Sequence, residues 1–133
     1  MDKAINVLMV DDETDFLEPV AFWLKSKGYA VTTLTTGAEA VELVKQALQD
    51  VICLDINMPG MDGIETLRRI RALSRDLPVV MVTAAYQDEK NISRASTLGI
   101  SGFFPKNNSL SELVRVIETC LRMHTKLKAP PTP

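Results

Sequence analysis

Hydrophobic residues fall into five short runs along the chain, each separated from the next by a longer segment with helical periodicity. Three runs are almost continuously apolar over the length of a strand, and two are mixed in polarity or shorter. Continuous runs are typical of strands covered on both faces, so we interpret the other two as edge strands. The apolar runs are residues 5–10, 51–54 and 78–82, and the other two are residues 29–34 and 102–104.

The segments between the runs predict helices, because their apolar residues recur at intervals of three and four. The second helix is predicted to extend to about Gln49, the third to bury Leu73, and the fourth to begin near Gln87. Two of the five predicted helices open with a capping box, a hydroxyl residue followed three positions later by glutamate: Thr36 with Glu39, and Ser109 with Glu112.

Strands and helices therefore alternate five times, in a (βα)5 order. Short connections between alternating elements require a parallel sheet with helices on both faces. Three inner strands and two edges fit the doubly wound, flavodoxin-like α/β fold, whose five-stranded sheet has the order 2-1-3-4-5. We expect one domain over residues 1–124 and a polar, Pro-containing tail or linker start over residues 125–133.

Composition narrows the class of protein. The chain has 133 residues, 46% of them hydrophobic, which suffices for one domain with a substantial core. A net charge of −2 offers no broad basic surface, so direct binding of nucleic acid is not expected. The sequence has no spanning apolar stretch and no signal-peptide pattern, which predicts a cytoplasmic protein without membrane contact. Its two cysteines lack a CxxC spacing and are interpreted as core residues in a reducing compartment.

Carboxylates follow two of the apolar strands. Asp11 and Asp12 come directly after the first strand, and Asp55 ends the third, its predicted neighbour. Neighbouring strands lie about 4.8 Å apart, so three like charges would crowd one volume unless a cation lay among them. Oxygen ligands of this kind suit Mg²⁺, and the pattern predicts a magnesium site. The alternative is an acidic turn in which Asp11 only caps the first helix.

Two further polar side chains follow the remaining inner strand and the second edge strand. Thr83 closes the fourth strand and Lys106 follows the fifth, which would bring a hydroxyl and a cation towards Asp55. A carboxylate nucleophile beside a metal ion, a hydroxyl and a lysine is a suitable set for accepting a phosphoryl group. Taken singly, Thr83 and Lys106 would be interpreted as ordinary surface residues.

Four motifs together resemble the receiver domains of two-component response regulators, over residues 5–123. They occupy residues 8–13, 55–63, 82–84 and 103–106. The resemblance implies that Asp55 is the phosphoacceptor. It also implies that Mg²⁺, with Mn²⁺ as an alternative ion, is held by Asp12, Asp55 and the backbone carbonyl of Asn57, and that Asp11 reaches the metal through water.

The same resemblance implies roles for five residues around that centre. Thr83 and Lys106 would bind phosphoryl oxygens, and Phe103 would be the aromatic switch residue, although ordinary edge-strand packing is its alternative role. Asn57 and Ala85 would tune dephosphorylation. One departure concerns the residue after the lysine, which is usually a proline preceded by a cis bond. Asn107 stands there, so we predict a trans Lys106–Asn107 bond, or strain.

These residues predict a phosphorylation-dependent signalling switch that is a phosphoacceptor and not an enzyme. Its phosphoryl donor would be the phosphohistidine of a sensor histidine kinase or a phosphotransfer protein. Its effector would bind the face formed by helix 4, strand 5 and helix 5, and a homodimer is compatible with the pattern. The chain fits a stand-alone receiver and one excised from a longer protein equally well.

Two other functions are weighed against the switch. One is a protein-interaction module that has the receiver fold but acts without phosphorylation. The other is a Mg²⁺-dependent phosphatase with an aspartyl nucleophile, which would need a second acid two residues after Asp55. Asn57 stands at that position and cannot transfer a proton, which argues against the phosphatase.

Overall fold

Five parallel strands form a single sheet in this computed structural model, in the order β2-β1-β3-β4-β5. The structure describes residues 4–84 and 89–128, with side chains described up to residue 123. The strands are β1 Asn6–Val10, β2 Ala30–Leu34, β3 Val51–Asp55, β4 Val79–Thr83 and β5 Gly102–Pro105. The helices are α1 Thr14–Ser26, α2 Gly37–Gln46, α3 Gly63–Leu73, α4 Glu89–Leu98 and α5 Leu110–Lys128.

The predicted fold and strand order are confirmed. The two strands of mixed or short sequence, β2 and β5, are the sheet edges, and all five residues of both β3 and β4 are buried. Parallel strands covered by helices on both faces have no solvent-facing side, which is why their sequences are apolar throughout.

Alternate residues of each inner strand pack into two separate cores. Leu54 and Met81 contribute to the core under α2, α3 and α4, which we call the α4 side of the sheet. Cys53 and Val80 contribute to the core under α1 and α5, which we call the α1 side. Because successive side chains of a strand point to opposite faces, this alternation also decides on which side each polar residue at the strand ends lies.

Side-chain caps fix the starts of three helices. Thr36 Oγ1 accepts a hydrogen bond from the Glu39 backbone N–H (3.2 Å), and Ser109 Oγ accepts one from the Glu112 N–H (3.3 Å), which confirms the two hydroxyl residues as N-caps. Asp62 caps α3 in the same manner. Gly63 follows it because a Cβ there would lie 2.1 Å from the Asp55 carbonyl oxygen, so only glycine lets α3 begin against the end of β3.

Two predicted details are wrong. Helix α2 ends at Gln46 and not near Gln49, because Ala47 adopts an extended conformation while its N–H still bonds to Leu43 O. Leu73 is 46% exposed, because it is the last residue of α3 and the chain turns away in an extended conformation at Ser74. The predicted start of the fourth helix at Gln87 lies outside the described residues.

Helix α5 continues to Lys128, four residues into the segment predicted as a tail, and residues 129–133 lie outside the described part of the chain. The boundary between the domain and a tail therefore stays a prediction. Within the described residues, none of the helices is both long enough and apolar enough to span a bilayer.

Candidate functional site

Three aspartates meet at the carboxyl ends of β1 and β3. The two strands are neighbours in a register that pairs Val10 with Leu54, so the residues that follow, Asp11 and Asp55, lie level with each other. Carboxylate oxygens of Asp11, Asp12 and Asp55 lie within 4.8 Å of one another. Asp11 and Asp55 are 1% and 3% exposed, whereas Asp12 is exposed to solvent. The sequence pattern thus predicted this grouping correctly, while the roles of its members stay predictions.

Lys106 enters the cluster from the end of β5. Its Nζ lies 2.9 Å from Asp11 Oδ2 and 3.7 Å from Asp55 Oδ1, and it also forms an ion pair with Glu13. The ammonium lies over the Phe16 ring, 4.8 Å from its centroid, in a cation–π contact. The peptide bond between Lys106 and Asn107 is trans, as predicted, and the lysine reaches the aspartates without the cis bond usual in the family it resembles.

The incomplete hydrogen bonding of one buried carboxylate oxygen in the cluster favours binding of a cation. Asp11 Oδ1 accepts a hydrogen bond from the Glu13 backbone N–H (2.9 Å). Asp11 Oδ2 is fully buried, and no described residue gives it a hydrogen bond of good geometry, although the Lys106 ammonium is at ion-pair distance. Buried carboxylate oxygens are normally hydrogen-bonded or metal-bound. An incompletely satisfied oxygen among three close carboxylates fits a hard, oxygen-preferring ion such as Mg²⁺.

Burial and nearby negative charges raise the pKa of the two buried aspartates. Burial raises the pKa of Asp55 to about 7, with further upward contributions from the charges of Asp11 and Asp12. The charge of Lys106 and the Asn57 backbone N–H act in the opposite direction. Burial likewise raises the pKa of Asp11. Without a metal ion, therefore, ionisation of Asp11 and Asp55 is less favourable than in solvent, because the pKa of each is raised.

Lys106 is charged in this setting. Burial acts to lower the pKa of its ammonium, but its close contacts with the Glu13 and Asp11 carboxylates and the charge of Asp55 outweigh burial, so the pKa is raised. In the described part of the site, a protonated lysine therefore lies beside two buried aspartates, Asp11 and Asp55, whose pKa values are raised.

Thr83 and Phe103 lie on the other side of the sheet from this cluster. Asp55 continues the face of Cys53, on the α1 side, whereas Thr83 continues the face of Met81, on the α4 side. The Thr83 hydroxyl donates to the Ala84 carbonyl (2.8 Å). Thr83 and the partly buried Phe103 line one cavity of about 610 Å³ beside α4.

The remaining predicted site residues are placed as follows. Asn57 is exposed two residues beyond Asp55, with its backbone N–H towards the Asp55 carboxylate. Ala85 lies outside the described residues. A backbone hydrogen bond from Lys106 N–H to Thr83 O (2.7 Å) ties the lysine to the end of β4.

Two residues that contact Lys106 were not assigned a role from the sequence. In the sequence, Glu13 is the third residue of the acidic run after the first strand, and Phe16 is an apolar position of the first helix. The position of Glu13, two residues after Asp11 in the same turn, could have predicted that both carboxylates contact the same lysine. Nothing in the periodicity of α1 indicated that Phe16 would face a cation.

The chain belongs to the response regulator receiver domain family, whose model matches residues 7–118. It is 34% identical over 117 residues to the sensory transduction protein RegX3 of Mycobacterium tuberculosis, an alignment that covers 88% of this chain and 51% of that protein. It is 30% identical over 129 residues to the response regulator MprA of a Mycobacterium species (strain KMS), covering 97% of this chain and 56% of that protein. The chain thus spans about half the length of the curated relatives it matches.

Solved structures give the same family. The CheY-like response regulator receiver domain from Methanospirillum hungatei superimposes with a TM-score of 0.89 at 25% identity, covering 94% of this chain and 99% of that one. The chemotaxis protein CheY4 of Vibrio cholerae superimposes with a TM-score of 0.84 at 28% identity, covering 90% of this chain and all of that one. This chain is therefore a receiver domain of the two-component signalling type.

Proposed function

We propose that this receiver domain is a phosphorylation switch in which Asp55 accepts a phosphoryl group in a Mg²⁺-dependent reaction. The observation that carries the proposal is the close grouping of Asp11, Asp12, Asp55 and the Lys106 ammonium at one end of the sheet. A carboxylate nucleophile, a cation and a set of metal-binding oxygens are what phosphoryl transfer requires of a protein.

Mg²⁺ would be held by the carboxylates of Asp12 and Asp55 and the backbone carbonyl of Asn57, with Asp11 acting through a water molecule; Mn²⁺ is an alternative ion. When bound, the ion supplies positive charge against the phosphoryl oxygens and the carboxylates. The unsatisfied Asp11 Oδ2 and the raised pKa of Asp55 both support a cation at this place.

In the transfer step, a carboxylate oxygen of Asp55 forms a bond to phosphorus while the bond from phosphorus to the imidazole nitrogen of a phosphohistidine breaks. The electron pair of that bond stays on the imidazole, which takes a proton from solvent. Lys106 balances the charge on the phosphoryl oxygens from the side of β5, a position that its contacts with Glu13 and Phe16 support. Asp55 is thus a phosphoacceptor, and the domain is not an enzyme with a separate substrate.

The conformational response would pass through β4. The Thr83 hydroxyl, now bonded to the Ala84 carbonyl, would turn to a phosphoryl oxygen and leave room in the cavity that it shares with Phe103. Phe103 would then move inward and alter the face formed by α4, β5 and α5. Asn57 and Ala85 would set the rate at which water hydrolyses the acyl phosphate.

The partners follow from the family. We propose a sensor histidine kinase or phosphotransfer protein as donor and a downstream effector protein or domain as reader, in the cytoplasm. RegX3 and MprA are longer than this chain, which aligns with 51% and 56% of them, and another relative is the transcriptional regulatory protein PrrA of Mycobacterium leprae. An effector acting in transcription and a homodimer are therefore part of the proposal for the whole protein.

Intact-mass spectrometry tests the switch directly. The chain is incubated with acetyl phosphate in the presence and in the absence of Mg²⁺, and we expect a phosphoryl adduct only with the ion. Asp55→Asn should abolish the adduct, whereas Asp62→Asn, which alters an exposed helix cap outside the cluster, should retain it. An adduct that persists in Asp55→Asn would refute the assignment of the phosphoacceptor.

The same experiment separates the two alternatives. Steady consumption of acetyl phosphate without any adduct would indicate an aspartyl phosphatase, and no reaction at all would indicate a phosphorylation-independent interaction module. A phosphorylation-independent module has no use for a buried carboxylate 2.9 Å from a lysine ammonium, and the phosphatase lacks the second acid, because Asn57 stands two residues after Asp55.

A further inference from the structure

A cavity of about 800 Å³ lies at the opposite end of the sheet from Asp55. It forms where α3 and α4 end, where α5 passes, and where the chain enters β4 and β5. The proposed phosphoryl chemistry uses none of its residues. Its volume is within the range of about 300–1,000 Å³ that is typical of small-molecule sites.

The walls of this cavity combine positive charge with an apolar floor. Three arginines line it, Arg68, Arg71 and Arg75, and α3 presents the first two one turn apart. The floor and rim carry partly buried or exposed apolar side chains together with the thiol of a buried cysteine: Leu77, Leu98, Ile100, Met123 and Cys120.

The arginines differ in what already engages them. The half-buried Arg71 donates from Nε to Gly99 O (2.8 Å) and from Nη1 to Ser74 O (3.1 Å), so it joins the ends of α3 and α4. Gly99 has φ +102°, a conformation that favours glycine and that turns its carbonyl towards this arginine. Arg71 is thus a structural residue, and its charge compensates the carbonyl ends of two helices.

Arg68 and Arg75 are not needed for that compensation. Arg68 is exposed and pairs with Glu65, a single carboxylate that also binds Arg69. The charged residues that line the cavity are three arginines and Asp76, a net charge of +2 beside an apolar floor. Exposed ion pairs contribute only about 0–1 kcal/mol, so an incoming anion can replace Glu65 as the partner of Arg68 with little loss of free energy.

We propose that this cavity binds a small amphipathic organic anion, with a phosphate, sulfonate or carboxylate head on an aromatic or aliphatic body. Guanidinium groups form paired hydrogen bonds with such oxyanions, and the apolar floor accepts the body of the ligand. Arg68 and Arg75 bind the head, while Arg71 keeps the wall in place. The site is independent of the chemistry at Asp55.

A fluorescence titration with 8-anilinonaphthalene-1-sulfonate tests the site, because this probe has both an anionic head and an aromatic body. The neutral N-phenyl-1-naphthylamine has the aromatic body of the probe without its charge, and inorganic sulfate has the anionic head without the body. The double variant Arg68→Gln/Arg75→Gln should weaken binding of the probe at least about tenfold, the effect of losing one charge-assisted hydrogen bond. The matched variant Arg115→Gln removes an exposed arginine of α5 that does not line the cavity, and should bind as the unmodified chain does.

Three further measurements make the result specific. The double variant Arg68→Lys/Arg75→Lys should restore most of the affinity, since it restores the charge. Amide NMR shifts on adding the probe should centre on Gly99 and Ser101. Asp55→Asn should bind the probe unchanged, so that a failure of the phosphorylation proposal and a failure of this one are told apart.

The proposal is overturned if the double glutamine variant keeps its affinity while its melting temperature is unchanged. Equal binding of the neutral analogue would also overturn it, as would NMR shifts that centre on another surface. Displacement of the probe by a hexaglutamate peptide at a lower concentration than by naphthalene sulfonate would assign the surface to an acidic protein segment instead.

Discussion

Replacing Asp55 with asparagine should stabilise the metal-free domain at alkaline pH. The folded state holds the pKa of Asp55 at about 7, against an ordinary value of 3.8, chiefly through burial. Between pH 4 and pH 7 the unfolded chain releases this proton while the folded chain retains it, so stability falls as the pH rises. Below pH 4 both states are protonated and above pH 7 both are ionised, so the loss is complete at pH 8.

The size of the effect follows from that shift. A difference of 3.2 pKa units between 3.8 and 7 corresponds to about 4 kcal/mol as an upper bound. That shift already includes the attraction of Lys106, and residual structure in the unfolded chain reduces the difference, so we expect about 2 kcal/mol. For a domain of this size that raises the melting temperature by about 6–10 °C.

Thermal unfolding followed by circular dichroism in EDTA, at pH 8 and at pH 4.5, measures this difference. Asp55→Asn should melt well above the unmodified chain at pH 8 and close to it at pH 4.5. Glu42→Gln removes an equal charge from an exposed residue of α2 and should have little effect at either pH. An Asp55→Asn variant no more stable at pH 8, or equally stabilised at both values, would show that burial of this carboxylate does not strain the fold.

Three other predictions concern the same end of the sheet. Mg²⁺ at about 100 times its dissociation constant should stabilise the unmodified chain by about 2.7 kcal/mol and should stabilise Asp55→Asn much less. Thermal melts with and without the ion measure this, and an equal gain in both proteins would exclude a metal site at Asp55. Lys106→Met should raise the pKa of Asp55 further, since the lysine charge lowers it, and carbon-13 NMR titration of the carboxyl group without metal measures this. An unchanged or lower pKa would contradict the contact. Gly63→Ala should lower stability in urea by at least about 2 kcal/mol, because its Cβ would lie 2.1 Å from Asp55 O, whereas the exposed Ser96→Ala should change it by less than about 0.5 kcal/mol.

The strand order and the acidic cluster could be predicted because both follow from local sequence. Five hydrophobic runs of strand length alternate with segments of helical periodicity, and the continuously apolar runs are the buried strands. The carboxyl ends of parallel strands lie at one edge of the sheet. Asp11 and Asp55 therefore had to meet once β1 and β3 were neighbours. The capping boxes at Thr36 and Ser109 were equally local, since each depends on four consecutive residues.

The contacts of Lys106 could not be predicted, because they depend on how far a long side chain reaches across the sheet. Its position after β5 was clear, yet its pairing with Glu13 and its place over Phe16 depend on the packing of α1 against α5. The exposure of Leu73 has a similar origin. Periodicity gives the face of a helix but not the point at which the chain leaves the core.

The alternation of side chains along β3 and β4 places the two proposed tasks, phosphoryl transfer and the conformational response to it, on opposite faces of the sheet. Chemistry at Asp55 belongs to the surface bordered by α1, whereas Thr83 and Phe103 belong to the surface bordered by α4. A dye attached at the exposed Ser93, beside the Thr83 cavity, would consequently report on the state of the domain without obstructing a donor protein. In the proposed switch, one sheet lies between the site of phosphoryl transfer and the surface that responds to it. A label on the responding surface would therefore make the domain an optical sensor.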